Sequence, residues 1–221
     1  MFEKIIKAAR DNGCNYVENA NMAKYTTFKI GGPAKLLVEP NSVDALSEIL
    51  KACKAEGIKP IVLGNGSNVL IRDEGIDGVV IVMGDSFSKI EYAGNDLVRV
   101  EAGAKLVNLC KFALEYSLGG MEFAYGIPGT VGGAAFMNAG AYGGEMAKVL
   151  KTVTSIDTEG NIHVRKADEC EFSYRHSIFM ENKEVILSAD FELTKDDPAE
   201  IEKRMADLTK RRQEKQPMII S

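Results

Sequence analysis

The stretch from Gly119 to Glu145, GGMEFAYGIPGTVGGAAFMNAGAYGGE, constrains the fold of this chain more than any other. It holds nine of the 21 glycines, and no charged residue stands between Glu122 and Glu145. Glycine loses more conformational freedom on folding than any other residue, so this density destabilises unless tight turns or close backbone approach require it. The segment is too glycine-rich for an ordinary helix. A flexible linker is the plain alternative, but linkers are polar and serine-rich. Here Phe123, Tyr125, Ile127, Val131, Phe136 and Met137 lie among the glycines. The pattern predicts a folded loop that lays bare backbone N–H groups against a large ligand.

The remainder of the chain limits what that ligand can be. With 221 residues the chain can bury a substantial core, as one large domain or two small ones. A net charge of −5 with no basic stripe argues against nucleic acid as the partner. No apolar run approaches the roughly 20 residues that span a bilayer, and MFEKIIKAAR reads as a short amphipathic helix rather than a signal peptide. The expected location is the cytoplasm. Cys14, Cys53, Cys110 and Cys170 are scattered, with no C-x-x-C pair, and His163 and His176 are the only histidines. Buried free thiols are expected, and no metal centre.

Taken in order, residues 11–28 read as irregular and Ala34–Val38 as a strand. A helix follows, with Ser42 as its N-cap, Gly57 as its stop, and Val43, Leu46, Ile49, Leu50 and Cys53 on its buried face. Ile61–Leu63 is a short buried strand that runs into Gly64-Asn65-Gly66-Ser67-Asn68. Small-residue loops of this kind point several amides at one place and suit phosphate. By itself the loop fits either a pyrophosphate cradle or a simple hairpin turn. It does not fit the dinucleotide fingerprint G-x-G-x-x-G, because the third glycine is missing and Val69–Ile71 reads as a further strand.

Gly78–Met83 is a buried strand, and Gly84–Ser88 reads as a link between two subdomains. Two strands, Lys89–Tyr92 and Leu97–Glu101, then turn at Gly94-Asn95, and a helix covers Leu106–Tyr116 until Gly119 and Gly120 end it. Past the glycine-rich segment, Val149–Asp157 and Ile162–Lys166 form strands around Glu159-Gly160-Asn161, with His163 facing outward. Glu184–Leu193 is another strand. Asp197-Pro198-Ala199-Glu200 has the form of a capping box at a helix start, with Ile201, Met205 and Leu208 as the apolar stripe and Gln216-Pro217 as the end.

Four stretches occur in order: TTFKIGGPA (26–34), GNGSNVLI (64–71), GIPGTVGGAAFMNAGAYGGE (126–145) and YRHSIF (174–179). Together they resemble the UDP-N-acetylenolpyruvoylglucosamine reductases, the MurB family. The resemblance implies an α+β, two-subdomain FAD-binding fold of the vanillyl-alcohol-oxidase/PCMH type. The subdomains would be residues 1–84 and 85–195, and 196–221 would begin a third, substrate-binding domain that is largely missing. It implies FAD as cofactor, NADPH as reductant and a UDP-sugar as substrate, whose enolpyruvyl double bond is reduced to give UDP-N-acetylmuramate for peptidoglycan.

The resemblance also distributes roles. Gly64, Asn65, Gly66, Ser67 and Asn68 would cradle the pyrophosphate. Gly126, Ile127, Pro128, Gly129, Thr130, Gly132, Gly133 and Ala134 would lie along the flavin and its phosphate tail. Arg175 would grip a carboxylate and stabilise developing negative charge, and Asn138 and Tyr142 would line the substrate side. The family continues past Gln216-Pro217 to a G-S-x-F serine that protonates the intermediate and a later glutamate. Neither is present here, and Ser221 lacks that context, so this chain is expected to bind FAD without turning over. Two alternatives stand beside this reading: a non-catalytic nucleotide-binding module, and another flavin oxidase of the same fold.

Overall fold

A computed structural model describes residues 2–215. Helix α1 (Glu3–Asp11) buries Ile5 and Ala9, as their spacing predicts. The segment read as irregular instead contains strand β1 (Asn15–Asn21), antiparallel to β2 (Pro33–Glu39) through Tyr16↔Val38 and Val17↔Leu37. Its sequence, NYVENAN, buries only Ala20. An edge strand with so little to bury lacks the alternation by which strands are recognised.

Helix α2 (Val43–Ala55) starts and stops where its sequence says. The Ser42 hydroxyl accepts a hydrogen bond from the Ala45 N–H at 3.2 Å, and Gly57 takes φ +68° after the last turn. Strand β3 (Ile61–Leu63) and strand β4 (Ile76–Val82) complete a first sheet in the order β1-β2-β4-β3, with β4 parallel to both β2 and β3. Successive strand residues face opposite sides, and this divides the core. Leu36, Val38, Val79 and Ile81 pack with α1 and α2, whereas Leu37, Val80 and Val82 pack with Met22, Leu63 and Ile71. Leu36, Leu37 and Val38 are fully buried, and burial of each contributes about 1.5–3 kcal/mol.

Two expectations here are corrected. Ile61 and Val62 are exposed, because β3 is the sheet's edge and borders a cleft. Val69–Ile71 form no strand, and Leu70 stands in solvent while Ile71 turns inward.

The Gly84–Ser88 link carries a 3-10 turn whose Phe87 sinks into the core shared by both halves of the chain. Strands β5 (Ile90–Gly94) and β6 (Leu97–Glu101) then pair as a hairpin, with Asn95 and Asp96 both at positive φ, as a tight right-twisting turn requires. Helix α3 (Leu106–Glu115) buries Leu106, Leu109, Cys110 and Ala113. Ser117, not a glycine, takes the left-handed position after it (φ +56°). Gly119 instead belongs to strand β7 (Leu118–Gly119).

The glycine-rich segment is more ordered than a loop. It contains helix α4 (Val131–Phe136) and a hairpin of β8 (Gly140–Ala141) and β9 (Gly144–Glu145). Gly132 makes the helix possible, since a Cβ there would lie 2.8 Å from Ala102 Cβ. Strands β10 (Leu150–Ile156) and β11 (Ile162–Lys166) follow. After a short helix α5 (Phe179–Asn182), strand β12 (Val185–Glu192) completes a second, fully antiparallel sheet in the order β11-β10-β12-β6-β5. Strand β13 (Thr194–Lys195) pairs with β7.

Strand β11 faces the opposite way from its expected orientation. Ile162 and Val164 are exposed, while His163 Nε2 lies 2.9 Å from Asp157 Oδ2 and Arg165 pairs with Glu184. Period-two alternation names two faces without saying which is buried. Burial pushes the Glu184 carboxyl up, but hydrogen bonds from Arg165 and Ser155 outweigh it and hold the group below its ordinary value of 4.5. Asp157 and Asp190 are also burdened by burial. Asp157 is lowered by His163 and Asn161, and Asp190 by Arg99 and Thr152. Groups depressed on folding contribute stability above their unfolded pKa and lose it as pH falls through the folded value. Urea midpoints should therefore fall on acidification below about pH 4.5. Glu184→Gln should cost about 1.5–3 kcal/mol at pH 7 and flatten that fall. A variant curve parallel to the parent's would rule this pair out as a source of the acid sensitivity.

Helix α6 (Pro198–Lys215) buries Ile201 and Met205. Asp197 Oδ1 accepts from the Ala199 N–H at 2.9 Å, but the reciprocal half of the capping box does not form. The Asp197 N–H donates to Asp196 Oδ1 at 2.8 Å instead, and Glu200 pairs with Lys203. Gln216-Pro217 and Ser221 lie outside the described residues.

Candidate functional site

The two glycine loops meet. Asn65 Nδ2 donates to the Pro128 carbonyl at 2.9 Å, linking residues 64–68 to residues 126–130. A Cβ on Gly64 would fall well inside the Thr130 hydroxyl and 3.1 Å from Thr130 Cβ. Ser67 Oγ stands 3.8 Å from where a Gly129 Cβ would lie. The third partner is the TTFKIGG loop. The Thr27 N–H donates to the Gly66 carbonyl at 3.1 Å, and the Thr27 hydroxyl donates to the Asn65 carbonyl at 3.4 Å. Gly66 lies at φ +58° under the Tyr25 carbonyl, so no other residue fits this turn without strain.

Apart from the Asn65 side-chain amide, these contacts use the loop's carbonyls and leave its backbone donors free. Among the described residues, the backbone N–H groups of Asn65, Gly66, Ser67 and Asn68 have no intramolecular acceptor. The Thr130 hydroxyl is buried and has no partner either. Unsatisfied buried polar groups are costly, and a run of consecutive unbonded amides in a tight loop is suited to an anion. A diphosphate would satisfy both features.

Two cavities flank this point. The larger, about 460 Å³, runs between Pro60–Gly64 on one side and Phe136, Phe179, Met180 and Val185 on the other, and its walls are mainly apolar. Its exposed Ile61 and Val62 were expected in the core. The smaller, about 260 Å³, is walled by Asn65, Lys105, Val107 and Tyr125–Gly129. Gly64 and Thr130 border the larger cavity, and their chain neighbours Asn65 and Gly129 border the smaller. Gly132 and Gly133 line the larger, Gly126, Ile127 and Pro128 the smaller, and Ala134 is buried in α4. The arrangement suits a long ligand with a flat group at each end and a diphosphate between them.

The YRHS segment folds as a tight turn, with Ser173 and His176 exchanging backbone hydrogen bonds at 3.2 Å and Tyr174-Arg175 at the tip. Ser177 Oγ donates to the Phe136 carbonyl at 2.5 Å, and Asn138 Nδ2 donates to the Ser173 carbonyl at 3.0 Å. Asn138 is buried with its amide fully engaged, since Oδ1 also accepts from the Ala147 N–H at 2.9 Å. It anchors the turn to the end of α4. Arg175 is exposed at φ +57°, its Nη1 3.9 Å from Met137 Sδ, and it has no carboxylate partner among the described residues. Tyr142 sits at φ +54° at the exposed tip of the β8–β9 hairpin.

Sequence reasoning passed over Thr27, which holds the amide loop from behind, and Ala102, on which α4 rests. From sequence alone TTFKIGGPA is legible only as a motif. The four cysteines are buried and free, and burial pushes the Cys53 and Cys110 thiols up to about 12. Among the described residues no group of His, Cys, Asp or Glu could hold a metal ion, and no helix is long and apolar enough to cross a membrane.

Residues 34–165 match the FAD binding domain family, so fold and site define a flavoprotein-type α+β domain pair. The chain is 46% identical over 200 residues to the UDP-N-acetylenolpyruvoylglucosamine reductase of Syntrophomonas wolfei, covering 90% of this chain and 67% of that protein. It is 47% identical over 202 residues to the enzyme of the same name from Clostridium novyi, covering 90% and 64%. The crystal structure of the reductase from Thermus caldophilus superimposes with a TM-score of 0.77 at 34% identity, over 92% of this chain and 70% of that one. A Physcomitrella patens BBE-like 1 variant shares the fold at 16% identity and a TM-score of 0.65, over 87% and 44%. The chain belongs to the UDP-N-acetylenolpyruvoylglucosamine reductase family. It spans about two thirds of the length of the curated relatives it matches.

Proposed function

We propose that this chain is the FAD-holding part of a reductase that uses NADPH to convert enolpyruvyl-UDP-N-acetylglucosamine to UDP-N-acetylmuramate, a cytoplasmic step of peptidoglycan precursor synthesis. The observation that carries the reading is the joined pair of glycine loops, with four free amides and an orphaned Thr130 hydroxyl where two cavities meet. The family match to an FAD binding domain supports the same reading. Residues 1–84 and 85–195 would be the two cofactor subdomains, each contributing one loop.

FAD, when bound, supplies the hydride chemistry. The residues of the chain do the rest. Asn65 to Asn68 and Thr130 would hold the cofactor's diphosphate. Ile61, Val62, Phe179 and Val185 would exclude water from the larger cavity, and Tyr125 to Gly129 would wall the smaller. Arg175, with its fork free, binds a substrate carboxylate and stabilises charge that builds beside it.

FAD titration tests the first part. The 221-residue chain should change the flavin absorbance bands on binding. At 100-fold excess over Kd it should melt about 5–10 °C higher. A folded chain with neither response would reject the reading.

A further inference from the structure

We infer that Arg204 is a positioning residue for the cofactor loop, an inference that rests on the flavin reading above. It starts from a charge in an otherwise uncharged place. Glu122 is the last acidic residue before Glu145 in the glycine-rich segment, and it is buried. Its Oε1 accepts from Arg204 Nε at 3.0 Å and Nη2 at 2.7 Å, and its Oε2 accepts from the Gly120 N–H at 2.8 Å. Arg204 is itself steadied by Asp196.

An ion pair with one buried and one half-exposed partner is a weak source of net stability, because desolvation of the carboxylate and solvent screening of the guanidinium offset most of its attraction. What this one supplies is a fixed geometry. The turn at Glu122–Ala124 leads directly into Tyr125–Gly129, the wall of the smaller cavity. Helix α6 touches the same loop again further on, where a Gly126 Cβ would lie 2.8 Å from Arg212 Cδ. On its other side the loop is tied to Asn65 through the Pro128 carbonyl. Among the described residues no side chain of α6 lines either cavity. The helix therefore backs the loop from outside both cavities.

Removing one charge and removing both distinguish positioning from simple anchoring. Arg204→Met leaves Glu122 buried and unpaired, so both melting temperature and FAD affinity should drop. The double variant Glu122→Gln/Arg204→Met removes both charges, and its melting temperature should recover. Its FAD affinity should stay about tenfold below the parent's, with bound flavin less quenched in fluorescence, because the loop has lost its brace. Arg204→Lys, which keeps the charge without the fork, should fall between parent and Arg204→Met in affinity. A parent that takes up FAD beside a double variant of equal affinity and equal flavin fluorescence would overturn the positioning role and leave the flavin reading standing. A folded parent that takes up no FAD overturns both.

Discussion

Gly66→Ala should lower FAD affinity by about 100-fold or more in a chain that stays folded. Gly66 sits at φ +58°, and a Cβ there would press into the Tyr25 carbonyl oxygen and lie 3.0 Å from Thr26 Cα. Both obstacles are backbone. They cannot swing aside, because the Thr27 N–H is already bonded to the Gly66 carbonyl at 3.1 Å. The GNGSN loop must therefore shift, and its four free amides shift with it. Gly57→Ala is the matched control. Gly57 has a similar φ of +68°, but an added Cβ meets nothing within 4 Å. That variant isolates backbone strain, worth about 1–2 kcal/mol, and should bind FAD like the parent. Affinities measured by flavin titration decide the matter. Equal affinity in Gly66→Ala and parent, or equal loss in both glycine variants, would reject the cradle as the reason.

The contrast between those two glycines also shows where sequence reasoning reaches its limit. Gly57 was legible as a helix stop because its cause is local: a capped, periodic helix ends there. Gly66 was legible only as part of a motif, because its cause lies about forty residues away in the Tyr25 carbonyl. The same division runs through the fold. The helix from Val43 and the β5–β6 hairpin announce themselves through caps, periodicity and turn residues. Strand β1 does not, since NYVENAN owes its conformation to pairing with β2 and buries almost nothing itself. Ile61 and Val62 mislead for the opposite reason. They look like core, and they are exposed cleft wall because β3 is the edge of its sheet. The helix at Val131–Phe136 was unreadable because Gly132 and Gly133 lower its propensity, and the close approach of Ala102 that requires the first of them is not a local signal. The Glu122–Arg204 pair joins residues 82 apart in sequence, a separation no local pattern spans.

Arg175→Ala should lower the substrate-reduction rate on the order of 10²–10³-fold, with FAD affinity unchanged, in a chain completed to the length of its relatives. The structural argument concerns strain and pinning. A non-glycine residue at φ +57° on an exposed turn is uncommon and costs on the order of 1 kcal/mol or more. Exposed Lys29, Glu171 and Lys183 share this conformation, so what sets Arg175 apart is the way its turn is pinned. The turn is held against relaxation from beneath, by Asn138 on the Ser173 carbonyl and by Ser177 on the Phe136 carbonyl. The result is a guanidinium with no carboxylate partner among the described residues, carried by a fixed stem beside the end of α4. Arg175→Lys should recover little, because a point charge cannot reproduce the two parallel donors of the fork. Glycine at 175 would relieve the backbone strain, so Arg175→Gly should be at least as stable as the parent and as slow as Arg175→Ala. That pairing of gained stability with lost rate is what a strained functional residue produces. A parent-like rate in Arg175→Ala would leave the strain without this purpose and the arginine without a role in the reaction.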